Sequence, residues 1–280
     1  MTPPEFIVAP GALDGLAAGA VFTLEGPEAH HAARVQRLGA GEPIDVVDGL
    51  GRRARGRVAQ VEKADDGGPR LQIDVAETID EPGAEPGIVL VQALAKGGRD
   101  ERAVEAATGL GAQGIVPWAA DRSVVKWPGA KAAKGRERWR AIVHAETKVA
   151  RRSHLPEVAG LLDTAGLVRA IATGPFAHLA VLVLHEDAAD HLSAQLAALG
   201  GNPCGSGAAR PGTADEGTPE RSARSGIVLV VGPEGGISGP ELDRLCEAGG
   251  RACLLGRGVL RASAAGPAAI AALNALLGRW

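Results

Sequence analysis

The sequence predicts an α/β protein in which a mostly parallel, two-sided sheet follows a small β-rich domain. Three observations lead there. Ile227 to Val231 is an unbroken apolar run, IVLVV, the pattern of a strand covered on both faces. From Ile88 onward, apolar strand-like runs alternate with helix-length segments, which implies βα units and a parallel sheet. Nearer the amino terminus, Leu71, Ile73 and Val75 alternate with Arg70, Gln72 and Asp74, the period of a strand with one wet face.

In the front region, Phe6 to Val8 and Val21 to Leu24 read as short strands. Ile44 to Val47 runs into Asp48-Gly49, a hairpin signal, and the chain returns through Arg53 to Val61. Between them lies HHAARVQRL, His30 to Leu38, where Ala33, Val35 and Leu38 are spaced loosely as on a helix and Arg34 and Arg37 share a face. The segment TIDEPGAEPG, residues 78–87, is a Pro/Gly/acidic linker. The expected boundaries are therefore 1–77, a linker at 78–87 and a second domain at 88–280. Within the second domain, strands are expected at Ile88 to Leu94, Ile115 to Trp118, Leu179 to Leu184, Ile227 to Val231 and Ala252 to Leu255. Helices are expected at Asp100 to Leu110 and from about Lys131 to Val149. The helix after the glycine turn GPEGG, Gly232 to Gly236, is signposted by a capping box of Ser238 and Glu241 and by Pro240 in its first turn. Gly200 to Gly226 is rich in Gly, Pro, Ser and Ala and reads as a flexible insertion.

Composition narrows the function classes. With a net charge of −3, nothing global argues for nucleic acid or an anionic membrane, and any basic surface must be local. Cys204, Cys246 and Cys253 are odd in number and lack CxxC spacing, which suits a reducing compartment and no disulfide framework. No basic leader and no apolar run of membrane-spanning length is present, so a soluble cytosolic protein is expected. The absence of Tyr, with three Phe and four Trp, disfavours an RNA platform of stacked aromatic rings. His30 and His31 have no further His or Cys at ligand spacing, and no metal site is expected.

Two basic features stand out. Arg53, Arg55 and Arg57 fall on one side of a strand and suit phosphates, although the first 77 residues carry 8 Lys/Arg against 12 Asp/Glu, so a solvated, charge-balanced face fits equally. Between Arg122 and Arg152 there are ten Lys/Arg and two Asp/Glu, the stronger electrostatic candidate for a phosphate backbone. The glycine turn after an apolar strand is suited to cradling a ligand through backbone N–H groups at the carboxyl edge of the sheet. No GK[ST], GxGxxG, GxSxG or HExxH motif occurs, which lowers phosphate and acyl-transfer chemistry.

The order of motifs is more specific than any one of them. HHAARVQRL and VVDG in front, then QALAKGGRDERAVEAATGLGAQGIVPW, DRSVVKW, ERWR, ARRSHLPEV, VLHE, LVVGPEGGIS and LGRGVLRASAA resemble the RsmE family of 16S ribosomal RNA uridine N3-methyltransferases along nearly the whole chain. The resemblance implies a PUA-like β-barrel ahead of a SPOUT-type trefoil-knotted α/β domain. It also implies S-adenosylmethionine as cofactor, 16S rRNA in the small ribosomal subunit as substrate, and a homodimer. It assigns the donor to Leu184, His185 and Glu186, to Gly232, Pro233, Glu234, Gly235 and Gly236, and to Leu255, Gly256, Val259 and Leu260. Arg261 is the implied cation near the uracil. Lys96, Arg122, Ser123, Lys126 and Arg152 fall at family positions beside the RNA, joining Arg34, Arg37, Arg53, Arg55 and Arg57. The chain departs from the family pattern at Gly109, Val149, Ala262 and Ala264. Two other readings stay open: a SPOUT enzyme for another RNA position or atom, and a non-catalytic RNA-binding or ribosome-assembly paralogue.

Overall fold

A computed structural model describes residues 2–63, 68–198 and 226–280. The chain divides into two compact units, Met1–Gly83 with His144–Pro156, and Ala84–Val143 with Glu157–Trp280.

The first unit is built on a five-stranded sheet of β1 (Glu5–Ile7), β2 (Val21–Leu24), β3 (Pro43–Val47), β4 (Arg52–Lys63) and β5 (Pro69–Asp80), in the order β1-β3-β4-β5-β2. The β3–β4 hairpin forms where Asp48-Gly49 predicts it. Asp48 Oδ1 accepts the N–H groups of Leu50 and Arg52 at 2.8 and 3.1 Å, the side-chain turn mimicry typical of Asp, and Gly49 and Gly51 both hold positive φ. The alternation in β5 holds too: Leu71, Ile73 and Val75 are buried beside Phe6, Leu13, Ile44 and Val46.

Helix α1 (Gly26–His30) passes into a π-helical turn, His31–Val35. Ala33 and Leu38 pack on the core, while Val35 is 65% exposed, so the loosely helical spacing of the three does not put them all on one buried face. Arg37 takes φ +57, which ends the helical path and separates it from the face that Arg34 occupies. Residues 144–156 also group with this unit, a segment that local pattern in residues 1–77 gives no sign of, and β5 runs on to Asp80.

The second unit holds a parallel sheet of β6 (Gly87–Ala93), β7 (Gly114–Ala119), β8 (Glu157–Val158), β9 (Leu162–Asp163), β10 (Ala180–Leu184), β11 (Gly226–Val231) and β12 (Arg251–Cys253). The order is β12-β10-β11-β6-β7-β8, with β9 also on β7, and every pairing is parallel. Helices α2 (Arg99–Gly109), α3 (Ala130–Val149), α4 (Thr164–Ala172), α5 (Leu192–Ala198), α6 (Gly239–Glu247) and α7 (Ala262–Leu276) cover it, with the end of α3, from His144, counted in the first unit.

The unbroken apolar run of β11 is explained by two cores. Ile227, Leu229 and Val231 enter one with Leu90, Trp139, Ile270 and Leu273, while Val228 and Val230 enter the other with Leu167, Ile171 and Leu245. Each such side chain contributes roughly 1.5–3 kcal/mol through burial. Gly266 lets α7 approach the sheet, since a Cβ there would lie 2.9 Å from Leu90 Cδ1. The expected insertion at Gly200 to Gly226 lies outside the described residues except for Gly226, which opens β11. No helix among the described residues is long and apolar enough to cross a membrane.

Candidate functional site

The carboxyl ends of β10, β11 and β12 are adjacent because these strands are sheet neighbours. The turns that leave them converge on a cleft of about 120 Å³. From β10 come Leu184, His185 and Glu186; from β11, Val231, Gly232, Pro233, Gly236 and Ile237; from the loop after β12, Leu254 through Leu260; and from the first turns of α7, Ala262 and Ala265. The His185 N–H donates to the Cys253 carbonyl at 3.0 Å, and Leu192 N–H to Leu254 O at 2.9 Å, which pins the first and third loops together. Burial pushes the Cys253 thiol up to about 12, so it sits in the core as a neutral small side chain.

The glycines of the cleft fall into two kinds. A Cβ on Gly232 would lie 2.7 Å from Ile237 Cγ1 and 3.2 Å from Ile237 N, so the protein's own packing requires glycine there. Gly256 and Gly258 have neither positive φ nor any heavy atom within 4 Å of a built Cβ. Nothing in the protein demands glycine at these two positions, yet both line the cleft, and their missing side chains leave bare backbone facing open space.

The turn at Gly232–Gly236 is held from behind. Its Gly236 N–H donates to Pro233 O at 2.9 Å, and Gly236 takes φ +71. The capping box forms in full: Ser238 Oγ accepts from Glu241 N–H, and Glu241 Oε2 accepts the Ser238 N–H at 3.2 Å. Glu241, 1% exposed, also accepts the Asp121 N–H at 2.8 Å and the Thr164 hydroxyl at 2.6 Å. The carboxylate that starts α6 therefore also ties down the loop after β7 and the start of α4.

Of the twelve residues expected to meet the donor, ten line the cleft: Leu184, His185, Glu186, Gly232, Pro233, Gly236, Leu255, Gly256, Val259 and Leu260. Glu234 and Gly235 do not. Glu234 Oε1 accepts from Arg99 Nη1 at 2.7 Å and from the Lys96 N–H at 3.0 Å. Partial desolvation pushes its carboxyl up, and hydrogen bonds from its own N–H, Arg99 and Lys96 outweigh this to hold it below the ordinary carboxylate value. The Gly235 carbonyl accepts from Arg122 Nη1 at 2.9 Å. Arg261 is not in the lining: it is the exposed N-cap of α7, its carbonyl accepting the N–H groups of Ala264 and Ala265. The arginine in the lining is Arg257, inside the glycine-studded run that marked the third loop.

The expected RNA contacts are placed unevenly. Arg34, Arg37, Arg55, Arg57, Lys96, Arg122 and Lys126 are exposed. Arg53 is corrected outright: it is buried, with Nη1 at 2.5 Å from Glu5 and 3.3 Å from Asp45 and Nε at 2.6 Å from Glu81. Its Nη2 donates to the Arg151 carbonyl at 3.0 Å. Strand alternation places Arg53, Arg55 and Arg57 on one side, but residues 144–156 and the acids of β1 and β3 occupy one end of that side. Arg57 turns to the Gly41 carbonyl at 2.7 Å. Ser123 is also buried, which withdraws its hydroxyl from the surface. Arg152 is half-buried, and desolvation lowers its guanidinium from the ordinary value.

A family model described as an RNA methyltransferase domain matches residues 84–274, and one described as an RNA methyltransferase PUA domain matches residues 24–64. The ribosomal RNA small subunit methyltransferase E of Mycobacterium tuberculosis is 39% identical over 262 residues, covering 94% of this chain and 89% of the relative. The protein of the same name from Bacillus subtilis is 28% identical over 254 residues, covering 90% and 89%. Among solved structures, a ribosomal RNA small subunit methyltransferase E from Neisseria gonorrhoeae bound to S-adenosyl methionine superposes with a TM-score of 0.74 at 25% identity, covering 98% of each chain.

Proposed function

Because the chain belongs to the ribosomal RNA small subunit methyltransferase E family of RNA methyltransferases, we propose that it methylates N3 of a uridine in 16S rRNA with S-adenosylmethionine as donor. The observation that supports this best is the convergence of three chain segments, distant in sequence, on a cleft partly walled by Gly256 and Gly258. Glycine without a packing or dihedral reason is what a flat nucleoside resting on backbone calls for. The lining suits the rest of the donor as well. Leu184, Leu255, Val259 and Leu260 offer an apolar wall for an adenine, and Glu186 and Arg257 offer opposite charges to the ammonium and carboxylate of an amino-acid end.

When bound, the donor supplies an electrophilic methyl group on a sulfonium. The chain's own task is to orient the attacking nitrogen and to ease loss of the uracil N3 proton. Orientation accounts for a large part of the barrier in such a bimolecular transfer. A cation beside the uracil carbonyls stabilises the imidate that forms as the proton leaves. We assign that cation to Arg261, which follows the cleft wall at Leu260, and the donor carboxylate to Arg257. Lys96, Arg122 and Lys126, exposed around the same sheet edge, take backbone phosphates, as do Arg34, Arg37, Arg55 and Arg57 on the front unit. The enzyme works in the cytosol as a homodimer, as the family resemblance implies.

The test is incubation with labelled donor and small subunits from a strain lacking the modification, followed by mass-spectrometric mapping of the labelled nucleotide. Label at N3 of a single uridine is expected. Label on a ribose oxygen, or none, overturns the assignment.

A further inference from the structure

The glycine turn has two faces, and the second is wired to residues outside the cleft. Gly232, Pro233 and Gly236 line the cleft, while Glu234 and Gly235 face the loops that follow β6 and β7. The loop after β6 is the sequence Lys96-Gly97-Gly98-Arg99. Gly97 and Gly98 are consecutive left-handed residues at φ +66 and +68, a path that residues with a Cβ rarely follow. It folds the chain back so that the Lys96 N–H and the Arg99 guanidinium reach one atom, Glu234 Oε1, at 3.0 and 2.7 Å. Asp100, buried at 5% exposure, fixes that loop in turn by accepting the Ala95 N–H at 3.2 Å and the Glu101 N–H at 2.9 Å. Beside it, Arg122 donates to the Gly235 carbonyl, and a Cβ on Gly235 would lie 3.2 Å from Arg122 Cβ.

We propose that Arg99 and Glu234 are positioning residues for the methyl-donor cleft, a bracket through which the loop after β6 sets the shape of the turn that the donor rests on. This rests on the reading of the cleft as the donor site. Neither side chain lines the cleft, so their proposed role is through the turn and not through the cleft wall itself. They act through the backbone of Gly232–Gly236, whose carbonyl and N–H directions change if the bracket opens. Glu234 is the residue of GPEGG that glycine or proline geometry does not explain. The bracket explains it: a carboxylate is the side chain that accepts a backbone N–H and a guanidinium on the same oxygen. The loop it grips carries Lys96, so a phosphate contact at Lys96 and donor binding bias one another through the same bracket, and by linkage each does so equally.

Calorimetric titration of S-adenosylmethionine into the full-length protein tests this, with thermal unfolding as a control and single-turnover methylation of unmodified small subunits as a second readout. Arg99→Ala and Glu234→Gln each weaken donor binding by about tenfold, the loss expected for a charge-assisted hydrogen bond. At saturating donor their turnover stays within about twofold of the unaltered enzyme, because the bracket acts on the donor's site and not on the reacting atoms. Arg99→Lys restores most of the affinity. The double variant binds no worse than the weaker single one, since both changes open one bracket. Donor affinities equal to the unaltered protein's, or losses that add in the double variant, overturn the bracket alone. Failure of the unaltered protein to bind the donor overturns the cleft assignment and the bracket with it.

Discussion

The front sheet and the loops of the parallel sheet use the same residue types for opposite ends. In the front unit, Arg53 is drawn into the interior among Glu5, Asp45 and Glu81 and serves as a structural counterion. In the second unit, Arg99 and Arg122 stay partly or fully exposed and clasp the outside of a glycine turn. An arginine's role is set by what covers it. In the front unit the cover includes residues 144–156, which arrive from far along the chain, and in the second unit the strand ends leave the loops open. The glycines divide in the same way, Gly56 and Gly232 serving close packing, with Cβ positions 2.3 Å from Asp74 O and 2.7 Å from Ile237 Cγ1, while Gly256 and Gly258 face open space.

The sharpest way to break this contrast is Arg53→Met. Removing the cation leaves the buried Glu5 without its partner and Asp45 with only Arg55 at 3.7 Å, and the loss is about 3–5 kcal/mol, seen as a large fall in the denaturation midpoint. Arg55→Ala, which loses the pairs to Asp45 at 3.7 Å and Glu77 at 3.5 Å, and Arg57→Ala instead cost at most about 1 kcal/mol each and lower affinity for rRNA, with a salt dependence shallower by about one ion each. Equal stability losses at all three positions would end the distinction.

Next in size is the split between the two arginines near the cleft. Arg261→Ala lowers turnover by about a hundredfold, the scale of losing one stabilising group at a developing charge, with donor affinity unchanged in calorimetry. Arg257→Ala weakens the donor by about tenfold and leaves turnover at saturating donor nearly intact. The reverse outcome would exchange their roles.

The glycines give a smaller effect. Gly232→Ala costs about 1–3 kcal/mol of stability through overpacking against Ile237. Gly256→Ala leaves unfolding unchanged and weakens donor binding by at least about tenfold, equivalent to about 1.4 kcal/mol. Unaltered donor affinity in Gly256→Ala would mean that the bare backbone there faces no ligand.

The smallest effect is in pH. Burial, offset in part by Arg53, raises the Glu5 carboxyl above its ordinary 4.5. The folded state then holds that proton more tightly, so this contribution to stability is complete below 4.5 and is lost as pH rises through the raised value. Burial also pushes Glu81 up, but hydrogen bonds from Arg53 and Ser153 outweigh it and leave the carboxyl lowered from 4.5, so its contribution is present above that value and is lost as pH falls. Denaturant midpoints across about pH 3–7, which runs from below to well above ordinary carboxylate values, check the signs: Glu5→Gln flattens the decline on the alkaline side, and Glu81→Gln flattens the acid side.

Much of the site was legible locally. The IVLVV run, the Ser238–Glu241 capping box and the glycine turns placed two of the cleft's loops at the sheet's carboxyl edge, because strand period, cap chemistry and turn dihedrals depend on residues within a few positions of one another; the loop at His185 and the individual wall residues came from the family resemblance. The placement of Glu234 was not legible, since its partners Lys96 and Arg99 precede it by more than a hundred positions. Arg257 could have been found inside the run from Leu255 to Leu260, but nothing local separated it from Arg261, and only the entry of α7 puts one in the wall and the other at the cap.

The sequence by itself determined the long apolar strands of the parallel sheet to within a residue or two at their ends, and that glycine turns follow β11 and β12, since these depend on short-range sterics and burial pattern; the short β8 and β9 carry no such local signal. The tertiary structure alone decided which charges are free to meet a ligand. Burial and ion pairing depend on segments that chain order keeps far apart, so Arg53 is enclosed among Glu5, Asp45 and Glu81, while Arg55, two residues on along the same strand, stays exposed with longer pairs to Asp45 at 3.7 Å and Glu77 at 3.5 Å.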